Sequence, residues 1–254
     1  MEKNIIDIHS HIIAGIDDGP KCLNVSLDMI KRAEALGTRD IIATPHFRRG
    51  YFETPFSEVK MIANYLKSFA KEEGLNINVH YGQEVYFSER ILEDLDKGLI
   101  GTINDSRYML LEFPMRKIPK EAVDYIYELN LKGITPIIAH PERYLDVIKN
   151  PERLNELIDE GCLFQLNAGS IRGDFGRDVK KTSETLIKHS VYGFIGSDAH
   201  DNNRRRTGIL DECKAVFKKN RSIEEIFVEN TEKLLRNEEI FFEGNRIKKR
   251  GFFK

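Results

Sequence analysis

The chain lacks the features that define several large protein classes. It carries three cysteines, Cys22, Cys162 and Cys213, scattered through 254 residues. Three such residues cannot form a disulfide framework, and no Cys-x-x-Cys pair suggests a zinc knuckle. No apolar stretch approaches the roughly 20 residues that a membrane-spanning helix needs. The start, Met1-Glu2-Lys3-Asn4, runs straight into a short apolar segment without the long hydrophobic region of a signal peptide. These absences lead us to expect a cytoplasmic chain. Net charge is also missing: 39 basic residues against 41 acidic ones leave −2, which argues against a broad nucleic-acid surface. Neither Gly-x-Gly-x-x-Gly nor a Gly-Lys-Ser/Thr loop occurs, so the common nucleotide cradles are excluded.

What is present is ordinary globular composition, 41% hydrophobic and 31% charged, at a length that suits one large α/β domain. Short apolar runs alternate with amphipathic stretches. The runs Asn4–His9, Asp40–Thr44, Asn76–Gly82, Tyr108–Glu112, Thr135–Ala139, Cys162–Leu166 and Tyr192–Gly196 are too continuously apolar for a sheet wetted on one face. They predict parallel strands buried on both sides. Between them, Asn24 to Gly37, Val59, Ile62, Leu66 and Phe69 to Gly74, Pro119 to Gly133, and Asn150-Pro151 to Gly161 read as helices closed by glycine. Ser222 and Glu225 have the spacing of a capping box. Seven strands, each followed by a right-handed crossover, predict a distorted seven-stranded (β/α) barrel, with every strand's C-terminus at one rim. We expect one domain over residues 1–245 and a basic, Phe-containing tail over 246–254. The tail could touch an anionic membrane or a partner, although a solvated end is the simpler reading.

The residues just past each run carry the functional signal. In chain order they are His9-Ser10-His11 with Asp17-Asp18-Gly19, then Thr44-Pro45-His46, Gly82-Gln83-Glu84 and Leu111-Glu112. His140-Pro141-Glu142-Arg143, Asn167 with Ser170, and Ser197-Asp198-Ala199-His200 follow. Any one could be trivial, and His80 and His189 are read as ordinary structural histidines. Nine donors at one rim are harder to explain by packing, because clustered carboxylates repel without a cation. His9, His11, His46, His140 and His200 supply neutral imidazoles; Asp18, Glu84, Glu112 and Asp198 supply four negative charges. Two or three divalent cations would balance them, and three leave a surplus suited to a phosphate dianion. Imidazole and carboxylate without thiolate suit Mn, Fe or Zn better than Ca.

These motifs resemble the polymerase and histidinol phosphatase (PHP) superfamily. Within it they resemble the bacterial manganese-dependent protein-tyrosine phosphatases of capsule and exopolysaccharide gene clusters. The resemblance implies a PHP-type barrel and a site for three divalent metal ions, manganese favoured. One ion would take His9, His11, Glu84 and Asp198. A second would share Glu84 and add Glu112 and His140, and the third would use Asp18, His46 and His200. Arg143 matches the family's phosphate-binding arginine, and of Arg204, Arg205 and Arg206 we rank Arg205 and Arg204 ahead. The implied substrate is the phosphotyrosine-containing tail of a membrane-associated bacterial tyrosine kinase.

The expected chemistry is hydrolysis of a phosphotyrosine monoester by an activated water. A thiol route is excluded, since Asp28, Ala168 and Lys219 stand six residues after the cysteines instead of an arginine. Two rivals keep the same site: a histidinol-phosphate or other small-phosphomonoester phosphatase, and a non-catalytic, metal-stabilised regulator that binds the kinase tail. The loop Phe47-Arg48-Arg49-Gly50-Tyr51-Phe52 weighs toward a phosphopeptide over a metabolite.

Overall fold

The computed structural model describes residues 5–219 and 222–248. Among them are nine short strands: β1 Ile5–Ser10, β2 Thr38–Ala43, β3 His46–Phe47, β4 Asn78–Tyr81, β5 Glu84–Tyr86, β6 Tyr108–Glu112, β7 Thr135–Ala139, β8 Leu163–Asn167 and β9 Phe194–Gly196. The longer helices are α1 Leu23–Ala35, α2 Phe56–Glu72 and α3 Ile91–Asp96, then α4 Ala122–Leu131, α5 Leu145–Lys149 and α6 Asn155–Asp159. They are followed by α7 Ala168–Arg172, α8 Arg177–Lys188, α9 Leu210–Lys219 and α10 Ser222–Leu235. None is long and apolar enough to cross a membrane.

Every strand pairing within the two sheets is parallel, and the strands form a curled sheet in two parts: β1-β2-β4, and β3-β5-β6-β7-β8-β9. All seven apolar runs of the sequence appear as strands, and two of them are followed, past a short break, by a further strand that the sequence reading did not include. The second run stops before Thr44-Pro45 and resumes as β3; the third stops before Gly82-Gln83 and resumes as β5. Proline has no N–H to give a ladder, and at Gly82 a Cβ would crowd Ile103 at 3.2 Å. The breaks fall at matching heights, so the resumed segments pair with each other and His46 lies opposite Glu84. The described strands therefore fall into two hydrogen-bonded sheets. Between β1 and β9, Ser10 bridges Ala199 and the Asp198 N–H donates to the His9 carbonyl at 2.8 Å.

Alternation along the strands explains the burial. Ile6, Ile8, Ile42, Leu110, Ile137, Leu163 and Phe194 pack together on the concave side. Their neighbours Met109, Leu111, Ile138, Phe164 and Ile195 face the other way, in the core shared with α4, α8 and α10. Strands apolar on both faces are what a helix-covered parallel sheet requires.

Several helix details differ from the sequence reading. In α2 the buried stripe is Val59, Ala63, Leu66 and Ala70, while Phe69 is exposed. The alanines let the helix sit close to β4, which leaves Ile62 half-buried at the edge of that core and turns Phe69 outward. Helix α1 starts one residue before Asn24, with Cys22 at its cap position. The Asn150-Pro151 segment splits into a 3-10 turn and the short α6. The residue preceding the Ser222–Glu225 box lies outside the described residues. Of the tail, Arg246 pairs with Asp159 at 2.6 Å, and Ile247 is buried and bonded through its backbone to Asn155. Residues 249–254 lie outside the described residues.

Candidate metal centre

A cavity of about 500 Å³ opens at the strand ends, lined by Asp18, His46, Glu84, Glu112, His140, Arg143 and Arg205 among others. Two of the strand-end positions are backbone outliers. His140, just past β7, has φ 32°, and Asp198, just past β9, has φ 51°. Left-handed backbone in a non-glycine residue costs energy and tends to persist where a site requires it. Here it turns two side chains sharply off the strand ends. Glycine permits the same crowding nearby. A Cβ on Gly19 would stand 2.6 Å from the His11 carbonyl oxygen, and one on Gly196 would stand 2.6 Å from His9 Cβ.

His9 Nε2 and His11 Nε2 face each other at 3.2 Å. His9 Nδ1–H donates to Gln165 Oε1 at 2.9 Å, and His11 Nδ1–H donates to Asp17 Oδ2 at 2.7 Å. In the neutral rings, these outer bonds select the tautomer whose Nε2 lone pair faces inward. Glu84 Oε2 lies 3.3 Å from His9 Nε2, 3.2 Å from His11 Nε2 and 3.0 Å from His46 Nδ1. His140 Nε2 is 3.0 Å from Glu84 Oε1 and 3.7 Å from Glu112 Oε1. His200 Nε2 and His46 Nε2 approach Asp18 Oδ1 at 3.1 and 3.7 Å.

Three sets of donors are close enough to share an ion: His9, His11, Glu84 and Asp198; His11, Asp18, His46 and His200; and His46, Glu84 and Glu112. The first matches the grouping implied by family resemblance. The second adds His11 to the expected three. In the third, His46 takes the place given to His140, whose ring reaches the same two carboxylates from the other side. The donor set fits divalent cations on direct grounds. Among the described residues, buried His46 Nδ1, Glu84 Oε2 and His200 Nε2 find no partner in hydrogen-bonding geometry, despite the near approaches above. Leaving buried polar atoms unpaired costs about 1–3 kcal/mol each, unless something else satisfies them.

Electrostatics divides the ligands. Burial pushes His46 and His140 down to about 4, which keeps both rings neutral. Burial also works against charge on His11, but Asp17 and Glu84 overcome it and raise this imidazole to about 10. Burial, joined by the charge of Glu84, pushes the Glu112 carboxyl well up. Asp198 is held low against its burial by Arg205, His9 and Arg143.

Both arginines converge on that one carboxylate. Arg143 Nη1 donates to Asp198 Oδ2 at 2.8 Å, and Arg205 Nη2 donates to Oδ1. Arg204, ranked beside Arg205 in the sequence, is exposed and absent from the cavity wall. The turn explains why. The His200 and Asp201 N–H groups donate to the Arg205 carbonyl, and the Arg204 N–H donates to Asp201 Oδ1, which folds Arg205 inward and Arg204 out.

The sequence assigned no role to the supporting layer, although it placed several of its members at strand ends. Asp17 orients His11, accepts the His46 N–H at 3.0 Å and holds Gly19. Gln165 orients His9, and Asn167 donates to Asp198 at 2.6 Å. Buried Glu142 accepts from Ser170, Tyr192 and the Asn167 N–H, which fixes the loop carrying Arg143. Asp17, Glu142, Asn167 and Ser170 stand beside expected ligands in the sequence, whereas Gln165, inside an apolar run, left no signal.

The comparisons agree with this geometry. A family model described as capsular polysaccharide synthesis, CpsB/CapC, matches residues 5–236. The tyrosine-protein phosphatase YwqE of Bacillus subtilis (strain 168) is 36% identical over 255 residues, covering 98% of this chain and all of that protein. The tyrosine-protein phosphatase CpsB of Streptococcus pneumoniae is 35% identical over 240 residues, covering 91% and 98%. A crystal structure from work on YwqE and CpsB, described as unique metal-dependent tyrosine phosphatases, superposes with TM-score 0.90 at 35% identity, covering 96% of this chain and all of that one. A histidinol phosphate phosphatase from Lactococcus lactis shares the fold, with TM-score 0.55 at 15% identity over 86% and 94%. On the family model and these full-length relatives, the chain belongs to the CpsB/CapC family.

Proposed function

We propose that this protein is a metal-dependent tyrosine phosphatase that hydrolyses phosphotyrosine. We read its two sheets as one distorted seven-stranded barrel acting as a single catalytic unit through residue 245. The observation that carries the reading is one contiguous cluster of nine imidazole and carboxylate donors, of which Asp18, His46, Glu84, Glu112 and His140 line a cavity together with the Arg143 and Arg205 guanidinium groups, with buried donor atoms unpaired among the described residues. Relatives named as tyrosine phosphatases support the substrate class. The three donor sets would hold three divalent ions, with manganese favoured and iron or zinc compatible.

When bound, the ions supply Lewis acidity toward phosphate oxygens and make a water acidic enough to attack phosphorus at neutral pH. The chain's own residues do the rest. Asp17 and Gln165 keep His11 and His9 in the tautomers that present a lone pair. Arg143 and Arg205 reach the same point from two loops, and their planar forks suit the non-bridging oxygens of a phosphoryl group. The Arg143 guanidinium also lies 4.3 Å over the Phe175 ring, which restricts its swing. A phenol leaves with a pKa of about 10, far below an aliphatic alcohol, so the leaving oxygen needs little help from an acid. In the cell, the substrate we infer is the phosphotyrosine-bearing tail of a membrane-associated tyrosine kinase in capsule synthesis.

Chelation should abolish turnover of a phosphotyrosyl peptide, and manganese should restore it. Full activity in the stripped protein would refute the scheme. Histidinol phosphate should be turned over at least about 100-fold less well, as expected of a site that must discriminate through its outer contacts.

A further inference from the structure

The cavity has a wall that the metal chemistry does not use. A short hairpin forms where Arg48 and Phe52 exchange backbone hydrogen bonds at 2.7 and 2.8 Å. Its two consecutive arginines have different fates. Arg49 points away and makes a two-bonded pair with buried Asp94, which anchors the hairpin to α3. Arg48 instead lines the cavity. Its guanidinium carbon lies 4.2 Å from the centre of the Tyr51 ring and 4.3 Å from that of Tyr86. Two rings hold the faces of the guanidinium and leave its in-plane N–H donors free. Among the described residues Arg48 has no carboxylate partner, and neither does exposed Arg116 on the same cavity wall. Phe52, stacked on His46 with centroids 5.8 Å apart and rings 9° from parallel, supplies an apolar surface between this rim and the metal ligands.

Cations on a protein surface are usually neutralised or solvated on mobile stems. One clamped between rings beside a catalytic cavity, at the added expense of a Tyr51 that is 70% exposed, is built to meet an anion. We infer that Arg48 and Arg116 are specificity-determining residues that bind carboxylate side chains flanking the phosphotyrosine, so that the preferred substrate is an acidic phosphotyrosyl peptide. The inference rests on the phosphotyrosine reading and adds to it. The metal ligands and inner arginines act on the phosphate, Phe52 offers a face to the tyrosyl ring, and the outer guanidinium groups read the neighbouring residues.

The test uses the manganese-loaded full chain and two phosphotyrosyl peptides that differ only in carrying Glu or Gln on either side of the phosphotyrosine. The readout is the ratio of their kcat/KM values. We expect the wild-type ratio to favour the Glu peptide by about 30-fold or more at low salt, and Arg48→Gln or Arg116→Gln each to reduce it by about ten-fold. Arg48→Lys keeps the charge without the fork and should retain an intermediate ratio. Lys120→Gln, an exposed charge outside the cavity, should leave the ratio unchanged. A wild-type ratio near one, a ratio unmoved in the Arg48 and Arg116 variants, or an equal fall in Lys120→Gln would overturn the inference. Failure of the wild type to hydrolyse either peptide would refute the phosphotyrosine reading instead, so the two failures are distinguishable.

Discussion

Among the described residues, two clusters of histidine and acid behave differently. In the cluster around the cavity, donors face donors: His9 Nε2 meets His11 Nε2, and His46 Nδ1, Glu84 Oε2 and His200 Nε2 find no partner in hydrogen-bonding geometry. The other cluster joins β2, β4 and α10. There Asp40 accepts from His80 at 2.8 Å and from Arg39, Arg39 also donates to Glu232 at 2.8 Å, and the far nitrogen of His80 meets the Asn104 amide at 3.0 Å. Each buried polar atom of that second cluster has its match, so it needs no further ligand. Composition alone does not distinguish the two. Whether the hydrogen-bond inventory closes does, because a buried donor or acceptor left open is costly unless a cation completes it.

The sharpest way to test this contrast is to remove one ligand charge. Asp198→Asn should lower kcat on a phosphotyrosyl peptide by about 1,000-fold or more, as expected when a metal-clamped displacement loses a ligand. Circular dichroism should remain that of the wild type. A rate within ten-fold of wild type would remove Asp198 from the centre.

Next in size is the support beneath the ligands. Asp17→Asn removes the carboxylate that orients His11 and should weaken manganese affinity by about 10–100-fold. Activity should return substantially at saturating manganese. Metal titration followed by turnover separates this positioning role from that of a ligand, since a ligand variant would stay impaired.

The smallest effect belongs to the closed cluster. Asp40→Asn should leave manganese binding and turnover unchanged and lower stability by about 1 kcal/mol, because Arg39 is partly solvated and the pair is screened. Burial alone would raise the Asp40 carboxyl, but His80 and Arg39 hold it down to about 2. A carboxyl whose folded pKa is depressed stabilises the fold above its unfolded pKa, near 4. That stabilisation is lost as pH falls toward 2. Urea unfolding between pH 5 and pH 2.5 should therefore show the wild type converging on Asp40→Asn. A constant gap between them would mean that Asp40 contributes by packing instead of charge.

Much of this was legible in the sequence, for identifiable reasons. The seven apolar runs were visible because a strand covered on both faces must be apolar continuously, as Met109, Leu110 and Leu111 are. The ligand positions were visible because parallel strands put their C-terminal ends on one side, so His9, Glu112, His140 and Asp198 could be placed there from position alone. Helix ends and stripes were less legible. Alternatives such as Ala63 against Ile62 depend on how closely a helix approaches its sheet, which propensity does not encode. The strands that resume past Thr44-Pro45 and Gly82-Gln83 were equally hidden, since each is only two or three residues long and is defined by its pairing with the other.

The sequence by itself determined which kinds of atoms would gather at the cavity, because residue type sets the donor chemistry and strand periodicity sets the side of the sheet. It did not determine how those atoms would be shared. That His11 faces two donor sets, that Arg205 turns inward while Arg204 turns out, and that Arg48 has no carboxylate partner among the described residues beside a paired Arg49 are outcomes of tertiary contact. The physical reason is range. Strand and helix patterning is local along the chain, whereas the choice of partner for a charged group depends on which distant group its loop meets, as Arg143 meets Asp198 across 55 residues.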